Sequence, residues 1–162
     1  MKSTQPLLHK IYTLETLQQE LFRQRLKSKK IVFTNGVFDL LHEGHIASLD
    51  QAAQYGDFLI VAINADASVK RLKGPKRPVH SEQTRATLLA HMAMVDAVII
   101  FEDDTPLELI KSLMPDTLVK GGDYTVEQIA GAKEVIENGG SVILANLIDG
   151  ISTTRTIEKL LD

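Results

Sequence analysis

An apolar run, Ile31-Val32-Phe33, gives way to Gly36-Val37-Phe38-Asp39-Leu40-Leu41-His42-Glu43-Gly44-His45, and then to Ile46, Leu49 and Ala53 at helical spacing. A strand therefore hands over to a helix across a turn that carries a glycine, an aspartate and two histidines three residues apart. No other stretch constrains the fold as much. A strand feeding a helix in this way belongs to an α/β unit, and open α/β sheets bind phosphorylated ligands where such strands end.

The rest of the chain repeats the alternation. Phe58 to Ile63 is continuously apolar, as a strand buried on both faces should be. Ala97-Val98-Ile99-Ile100, Leu118-Val119 and Val142-Ile143-Leu144 supply three more strands. Leu14, Leu17, Leu21 and Phe22 predict an amphipathic helix over 14–27. Further helices are expected over about 44–55, stopped by Gly56, and over about 81–93, with Leu88, Leu89 and Met92 inward. Thr105-Pro106 reads as a helix start with a hydroxyl cap and proline at the first position, and Pro115 ends that helix. Thr125-Val126-Glu127-Gln128 is a capping box opening a helix that Gly139-Gly140 ends. Ser152 or a neighbouring threonine caps a terminal helix with Ile157, Leu160 and Leu161 inward. Residues 1–12 carry no strong signal, and 64–80 read as a polar loop. The expected architecture is an α/β, Rossmann-like, doubly wound sheet of about five parallel strands with helices on both faces.

Bulk properties narrow the function classes. A chain of 162 residues fits one globular domain and can bury roughly 70% of its unfolded surface. A net charge of −3 argues against a broad nucleic-acid or anionic-membrane surface, though not against a local basic pocket. There is no cysteine, which excludes disulfides and thiolate chemistry. Met1 to Pro6 lacks the apolar core of a signal peptide, and Phe58–Ile63 is too short to span a bilayer. The expectation is a cytoplasmic protein with neither nucleic-acid nor membrane partners.

The polar constellations fall at the carboxyl ends of the expected strands. His42 and His45 share the first turn of a helix, whose N-terminus offers free N–H groups and partial positive charge. Imidazoles added there suit polyphosphate oxygens. Their three-residue spacing does not fit the four-residue zincin pattern. Gly36 allows close backbone approach to a nucleotide. Phe38 reads as core. Asp39 is open to three roles: orienting backbone or a histidine, helping a magnesium site, or forming a turn. Lys70, Arg71, Lys73, Lys76 and Arg77 read either as a solvated face or as basic groups on a mobile loop that clamps anionic substrates, with Lys73 the leading candidate. Arg85 reads either as a bidentate phosphate ligand or as a surface arginine. Ser152-Thr153-Thr154 makes a second anion site at a helix start. Lys120-Gly121-Gly122-Asp123-Tyr124 suits sugar hydroxyls and close backbone approach. Glu102-Asp103-Asp104 reads as solvated charge, and His9, His80 and His91 carry no functional expectation.

The pattern G-x-F-D-x-x-H-x-G-H resembles the signature of the nucleotidyltransferase superfamily that includes the cytidylyltransferases. Several further segments resemble the adenylyltransferase part of ADP-heptose synthases: Asn35 to His45, Ala65-Asp66-Ala67-Ser68, Arg71-Leu72-Lys73-Gly74, Arg77-Pro78-Val79, Asp104-Thr105-Pro106, Leu118 to Tyr124, Ile129-Ala130-Gly131, and Asp149 to Thr154. The likeness runs from about 28 to 161. It implies a nucleotidyltransferase domain over 28–162, preceded by an extension and amphipathic helix over 1–27. In many bacteria the family's domain is fused to a sugar kinase; with no kinase half in this chain, the stand-alone form is expected.

The resemblance implies transfer of AMP from ATP to D-glycero-D-manno-heptose 1-phosphate, giving ADP-heptose and pyrophosphate for lipopolysaccharide or other heptose-containing glycans. It implies His42, His45 and Lys73 as catalytic residues. Asn35, Gly36, Phe38, Asp39, Gly44, Arg85, Ser152, Thr153 and Thr154 would bind nucleotide. Asp66, Lys120, Gly122, Asp123 and Tyr124 would bind the acceptor. Mg²⁺ would be held mainly by ATP phosphates, and a homodimer is expected. Cytidylyltransferases carry arginine and glutamate before Gly-Ile-Ser-Thr-Thr, where this chain has Leu147 and Asp149. That departure speaks against a glycerol-phosphate cytidylyltransferase and is compatible with adenine. The alternatives are a nucleotidyltransferase using CTP or another phosphorylated acceptor, and a non-catalytic nucleotide sensor.

Overall fold

A computed structural model describes residues 7–122 and 124–146. Among the described residues, six parallel strands form one sheet: β1 (Ile11–Tyr12), β2 (Ile31–Gly36), β3 (Phe58–Asn64), β4 (Ala97–Phe101), β5 (Thr117–Gly121) and β6 (Ser141–Ala145). Their spatial order is β1-β4-β3-β2-β5-β6. The helices are α1 (Leu14–Leu26), α2 (Glu43–Ala53), α3 (Asp66–Lys73), α4 (Glu82–Ala90), α5 (Leu107–Leu113) and α6 (Ala132–Glu137).

Alternation along the strands sends side chains to two cores. Ile31, Phe33, Ile60 and Ile99 pack with Leu17 and Leu21 of α1, Ile110 and Leu113 of α5, and Val135 of α6. Val32, Leu59, Val61, Ile63 and Val98 pack with Leu49 and Ala52 of α2 and Ala86 and Leu89 of α4. At the opposite end from the histidine turn, carboxylates tie the strand starts together. Asp57, Asp96 and Asp116 accept the backbone N–H groups of Lys30, Leu59 and Ile31 at 2.9, 2.8 and 2.7 Å.

The doubly wound parallel sheet agrees with the sequence reading, with four local differences. First, the sheet has a sixth strand: Ile11-Tyr12 pairs with Val98-Ile99 at the β4 edge. Second, residues 66–73 form α3 rather than loop. Third, Pro106 itself is the N-cap of α5, and no side chain caps that helix. Fourth, the Thr125–Gln128 box closes only a 3-10 turn (Val126–Gln128); α6 begins separately behind Gly131, whose φ is 84°. Leu88, expected inward, is exposed, while Leu89 is fully buried.

β2 is the switch point. From it the chain winds outward through β3 and β4, then returns to place β5 on its other side. The crevice between the carboxyl ends of β2 and β5 is where such a sheet takes its ligand.

Candidate active site

Two cavities open at that crevice and share the wall made by Asn35, Gly36, Val37, Lys120 and Tyr124. The larger, about 360 Å³, is completed by Asn64, Leu72, Lys73, Asp104, Thr105, Pro106, Gln128, Ile129 and Ala130. The smaller, about 220 Å³, is completed by Thr34, Phe38, His45, Ser48, Leu49 and Gly121.

The turn after β2 is held in an unusual path. Phe38 and Leu40 have φ of 50° and 49°, a left-handed conformation that side chains rarely adopt. Two buried groups hold it there. Asp39 accepts from Arg77 Nε at 2.9 Å and from the backbone N–H groups of Val79 and His80 at 2.8 and 3.0 Å. These donors outweigh burial and hold its carboxyl below the usual range. Arg85, fully buried, donates to the Val37 carbonyl at 2.8 Å, the His80 carbonyl at 3.1 Å and Asp66 Oδ1 at 2.7 Å.

Three sequence expectations change accordingly. Arg85 is neither a surface arginine nor a phosphate ligand, because it is fully buried and each of its three nitrogens donates to protein oxygen. Asp39 is a loop anchor rather than a magnesium ligand, because both of its oxygens face protein donors. Asp66 is tied to Arg85 and lines neither cavity, so it is not placed to bind the acceptor. Phe38 is core, with its ring 5.3 Å from that of His45.

The histidines are built into the start of α2. His42 is its N-cap residue. The two rings stack, with centroids 3.8 Å apart. His45 Nδ1 accepts the His42 backbone N–H at 3.4 Å, and His45 lines the smaller cavity. His42 Nδ1 is buried without a protein partner among the described residues. Gly44 is what lets the His42 ring lie there: a Cβ at position 44 would stand 3.1 Å from two of its ring atoms. Burial, then the neighbouring His42 and Lys73, push the His45 pKa down to about 4, against the pull of Asp39. Burial also lowers His42, against Glu43.

Lys120, at the end of β5, lies within 3.4 Å of both the Asn35 carbonyl and Asn35 Oδ1. Its Nζ stands 5.7 Å over the Tyr124 ring. Burial pulls its pKa below the ordinary lysine value. Gly122, with φ of 118°, brings the backbone against that same ring; a Cβ there would meet it at 2.9 Å.

The basic cluster divides. Lys73 lines the larger cavity. Arg71 is bound to Asp104 and the Glu102 carbonyl, and Arg77 to Asp39. Asp104, expected to be solvated charge, is a cavity wall. Asn64, Thr105 and Gln128 also line the cavity although the sequence reading assigns them no site role; the Asp104-Thr105-Pro106 and Ile129-Ala130-Gly131 segments of the family resemblance were the signals pointing there. Ser152, Thr153, Thr154 and Asp123 lie outside the described residues. Among the described residues, no group of three or more His, Asp or Glu side chains comes together as a metal cage. No described helix is long and apolar enough to cross a membrane.

The crevice thus presents cations and neutral N–H donors on a glycine-bearing wall, a donor set suited to phosphate oxygens. Comparison with known proteins agrees. The cytidylyltransferase-like family model matches residues 33–159. The chain is 52% identical over 153 residues to the bifunctional protein HldE of Syntrophotalea carbinolica, covering 94% of this chain and 31% of that one. It is 53% identical over 150 residues to HldE of Haemophilus ducreyi, covering 93% and 32%. The chain therefore spans about a third of the length of the curated relatives it matches. A solved lipopolysaccharide core biosynthesis protein from Thermoplasma volcanium aligns with a TM-score of 0.59 at 28% identity, covering 74% of this chain and 97% of that one. A pantoate-beta-alanine ligase from Francisella tularensis, at 15% identity and a TM-score of 0.62 over 91% and 72% of the two chains, shares the fold alone. The match to the family model takes in β2, the histidine turn and β5, the elements that build the crevice, and with it the chain belongs to the cytidylyltransferase-like family of nucleotidyltransferases.

Proposed function

We propose that this chain transfers AMP from ATP to D-glycero-D-manno-heptose 1-phosphate, releasing pyrophosphate and forming ADP-heptose for heptose-containing glycans. The observation that carries the reading is the pair of cavities meeting at Lys120. One contains the stacked histidine that suits a triphosphate, and the other combines two lysines with the amide, hydroxyl and carboxylate groups that suit a phosphorylated polyol. Half-identity to the HldE relatives over nearly the whole chain supports the heptose branch.

The chemistry follows from the donors. A sugar phosphate has a second pKa of about 6, so its oxygens are largely ionised at neutral pH and need no general base. An acceptor phosphate oxygen attacks the α-phosphorus of ATP. The bond from that phosphorus to the bridging oxygen breaks, and its electrons leave with pyrophosphate. What remains for the protein is in-line positioning and charge neutralisation. His45, neutral and with Nδ1 occupied, donates from Nε2 to phosphate oxygen. His42, the second imidazole of the motif, lines neither cavity and has its Nδ1 buried; in this reading it acts by stacking on His45 and holding that ring toward the triphosphate. Lys120 faces both substrates, and Lys73 offsets charge from the larger cavity. Ser152, Thr153 and Thr154 belong to this reading as the far phosphate anchor.

Magnesium would be held mainly by the ATP phosphates and would supply neutralisation of triphosphate charge. The lysine-lined crevice suits the phosphates themselves. The reading includes a cytoplasmic homodimer, checked by fractionation and by light scattering.

The test is pyrophosphate release with ATP, Mg²⁺ and each anomer of heptose 1-phosphate, with CTP and glycerol 3-phosphate in parallel. Release with ATP and a heptose phosphate alone is expected. Release only with CTP or another acceptor overturns the substrate assignment, and ATP binding with no turnover favours a sensor. Replacing His42 or His45 by alanine should cost about 3 kcal/mol of transition-state stabilisation, 10²–10³ in kcat.

A further inference from the structure

Two residues of the larger cavity have half of a polar terminus committed to the fold and half left over. Asp104 Oδ1 takes Arg71 Nε at 2.8 Å and its terminal nitrogen at 2.7 Å. Ser68 Oγ lies 3.4 Å from the same oxygen and 3.1 Å from the Asp103 carbonyl, and it accepts from buried Asn64 Nδ2 at 3.1 Å. Asp104 Oδ2 has no protein partner among the described residues. Gln128 is complementary. Its Oε1 accepts the Thr125 backbone N–H at 3.0 Å, which fixes the amide orientation and leaves both Nε2 hydrogens without a partner among the described residues. Both residues line the same cavity.

A spare carboxylate oxygen and a spare amide donor lining one cavity match an alcohol, which donates one hydrogen and accepts another. They do not match a phosphate, which a carboxylate repels. We infer that Asp104 Oδ2 and Gln128 Nε2 are the specificity-determining pair that reads the hydroxyls of the acceptor sugar remote from its phosphate, the exocyclic diol of a heptose. The inference rests on the sugar-phosphate reading proposed above. It also sets the acceptor's direction: phosphate toward Lys73 and Lys120, diol toward Asp104 and Gln128.

The fold commitments define the test. Asp104→Asn keeps an oxygen for Arg71 and turns the spare acceptor into a donor. Gln128→Glu keeps an oxygen for the Thr125 N–H and turns the spare donor into an acceptor. Steady-state kinetics with ATP would compare heptose 1-phosphate with mannose 1-phosphate, which lacks the C7 hydroxymethyl group. Each variant should lower kcat/KM for the heptose phosphate ~10–100-fold, mainly through KM. Each should shrink the preference over mannose 1-phosphate by at least tenfold and leave the KM for ATP within twofold. Active wild type whose preference survives in both variants would overturn the hydroxyl pair alone. Wild type that turns over neither sugar phosphate would overturn the proposed function and the pair with it. A parallel loss with both sugars and with ATP would assign the two residues to the fold and also count against the pair.

Discussion

The His42 and His45 rings stack at 26° with centroids 3.8 Å apart, while the His42 backbone N–H is directed at His45 Nδ1 at 3.4 Å. An N–H pointing at Nδ1 makes that nitrogen an acceptor, so the proton of neutral His45 sits on Nε2. The backbone N–H therefore fixes the tautomer, and the stack fixes the ring plane.

The same burial sets a pH dependence. His45 has an ordinary value of 6.5 and a folded value of about 4. Between those limits the unfolded chain binds a proton that the folded chain does not, so stability falls as pH drops through the window. His42, also lowered, adds in the same direction. Imidazole ¹⁵N spectra at pH 6 should show neutral His45 protonated at Nε2. Urea unfolding should give lower stability at pH 5 than at pH 7, with a shallower slope in His45→Gln. A proton on Nδ1, or a midpoint near 6.5, would contradict this arrangement.

Gly44 separates stability from activity. A methyl group there would stand 3.1 Å from the His42 ring, and the ring is the part that can move. Alanine is also the better helix former. Gly44→Ala should therefore unfold at the same temperature as wild type or higher, yet lose tenfold or more in kcat as the stack opens. Calorimetry beside kinetics tests it; a parallel fall in both would make Gly44 a packing residue.

The strands were legible because each long parallel strand is a run of apolar residues bounded by turns. The histidine turn was legible because its residue types are few and closely spaced. What stayed hidden has physical reasons. Ile11-Tyr12 is too short to display a period, and only its β4 partner makes it a strand. α3 buries only Ser68 and Val69, so its sequence looks like loop; ties from Ser68 and Arg71 to the Asp103–Asp104 segment hold it. Arg85 looked like a phosphate ligand because composition cannot reveal that Val37, His80 and Asp66 converge on it. Asp104 and Gln128 are separated in the chain and line one cavity only because the turn before α5 and the 3-10 turn flank one crevice.

Arg85 then carries a prediction about the fold. Truncating it would leave the Val37 carbonyl and the Asp66 carboxylate without their donor beside a turn already held at positive φ. Arg85→Ala should cost about 2–4 kcal/mol in urea unfolding, as loss of charge-assisted bonds does at buried sites. Direct phosphate ligation would instead leave stability near wild type and raise the KM for ATP. The ratio of these two effects decides between strut and ligand.

Lys120 gives the most direct reading of where the anions go. It is a half-buried cation at the wall both cavities share, and its oxygen contacts are long at 3.4 Å. Burial lowers its pKa, and a phosphate arriving beside it must raise that pKa again. At a pH between the two values, ATP binding should therefore draw a proton from solution. Calorimetry over an alkaline pH series, in buffers of different ionisation enthalpy, measures that uptake while both histidines remain neutral. The uptake should vanish in Lys120→Met, whose flexible apolar chain fills similar space without charge. Turnover in that variant should fall ~10²–10³-fold, as when a donor aimed at developing charge is lost. Uptake that persists in Lys120→Met would belong to another group and place the phosphates away from β5.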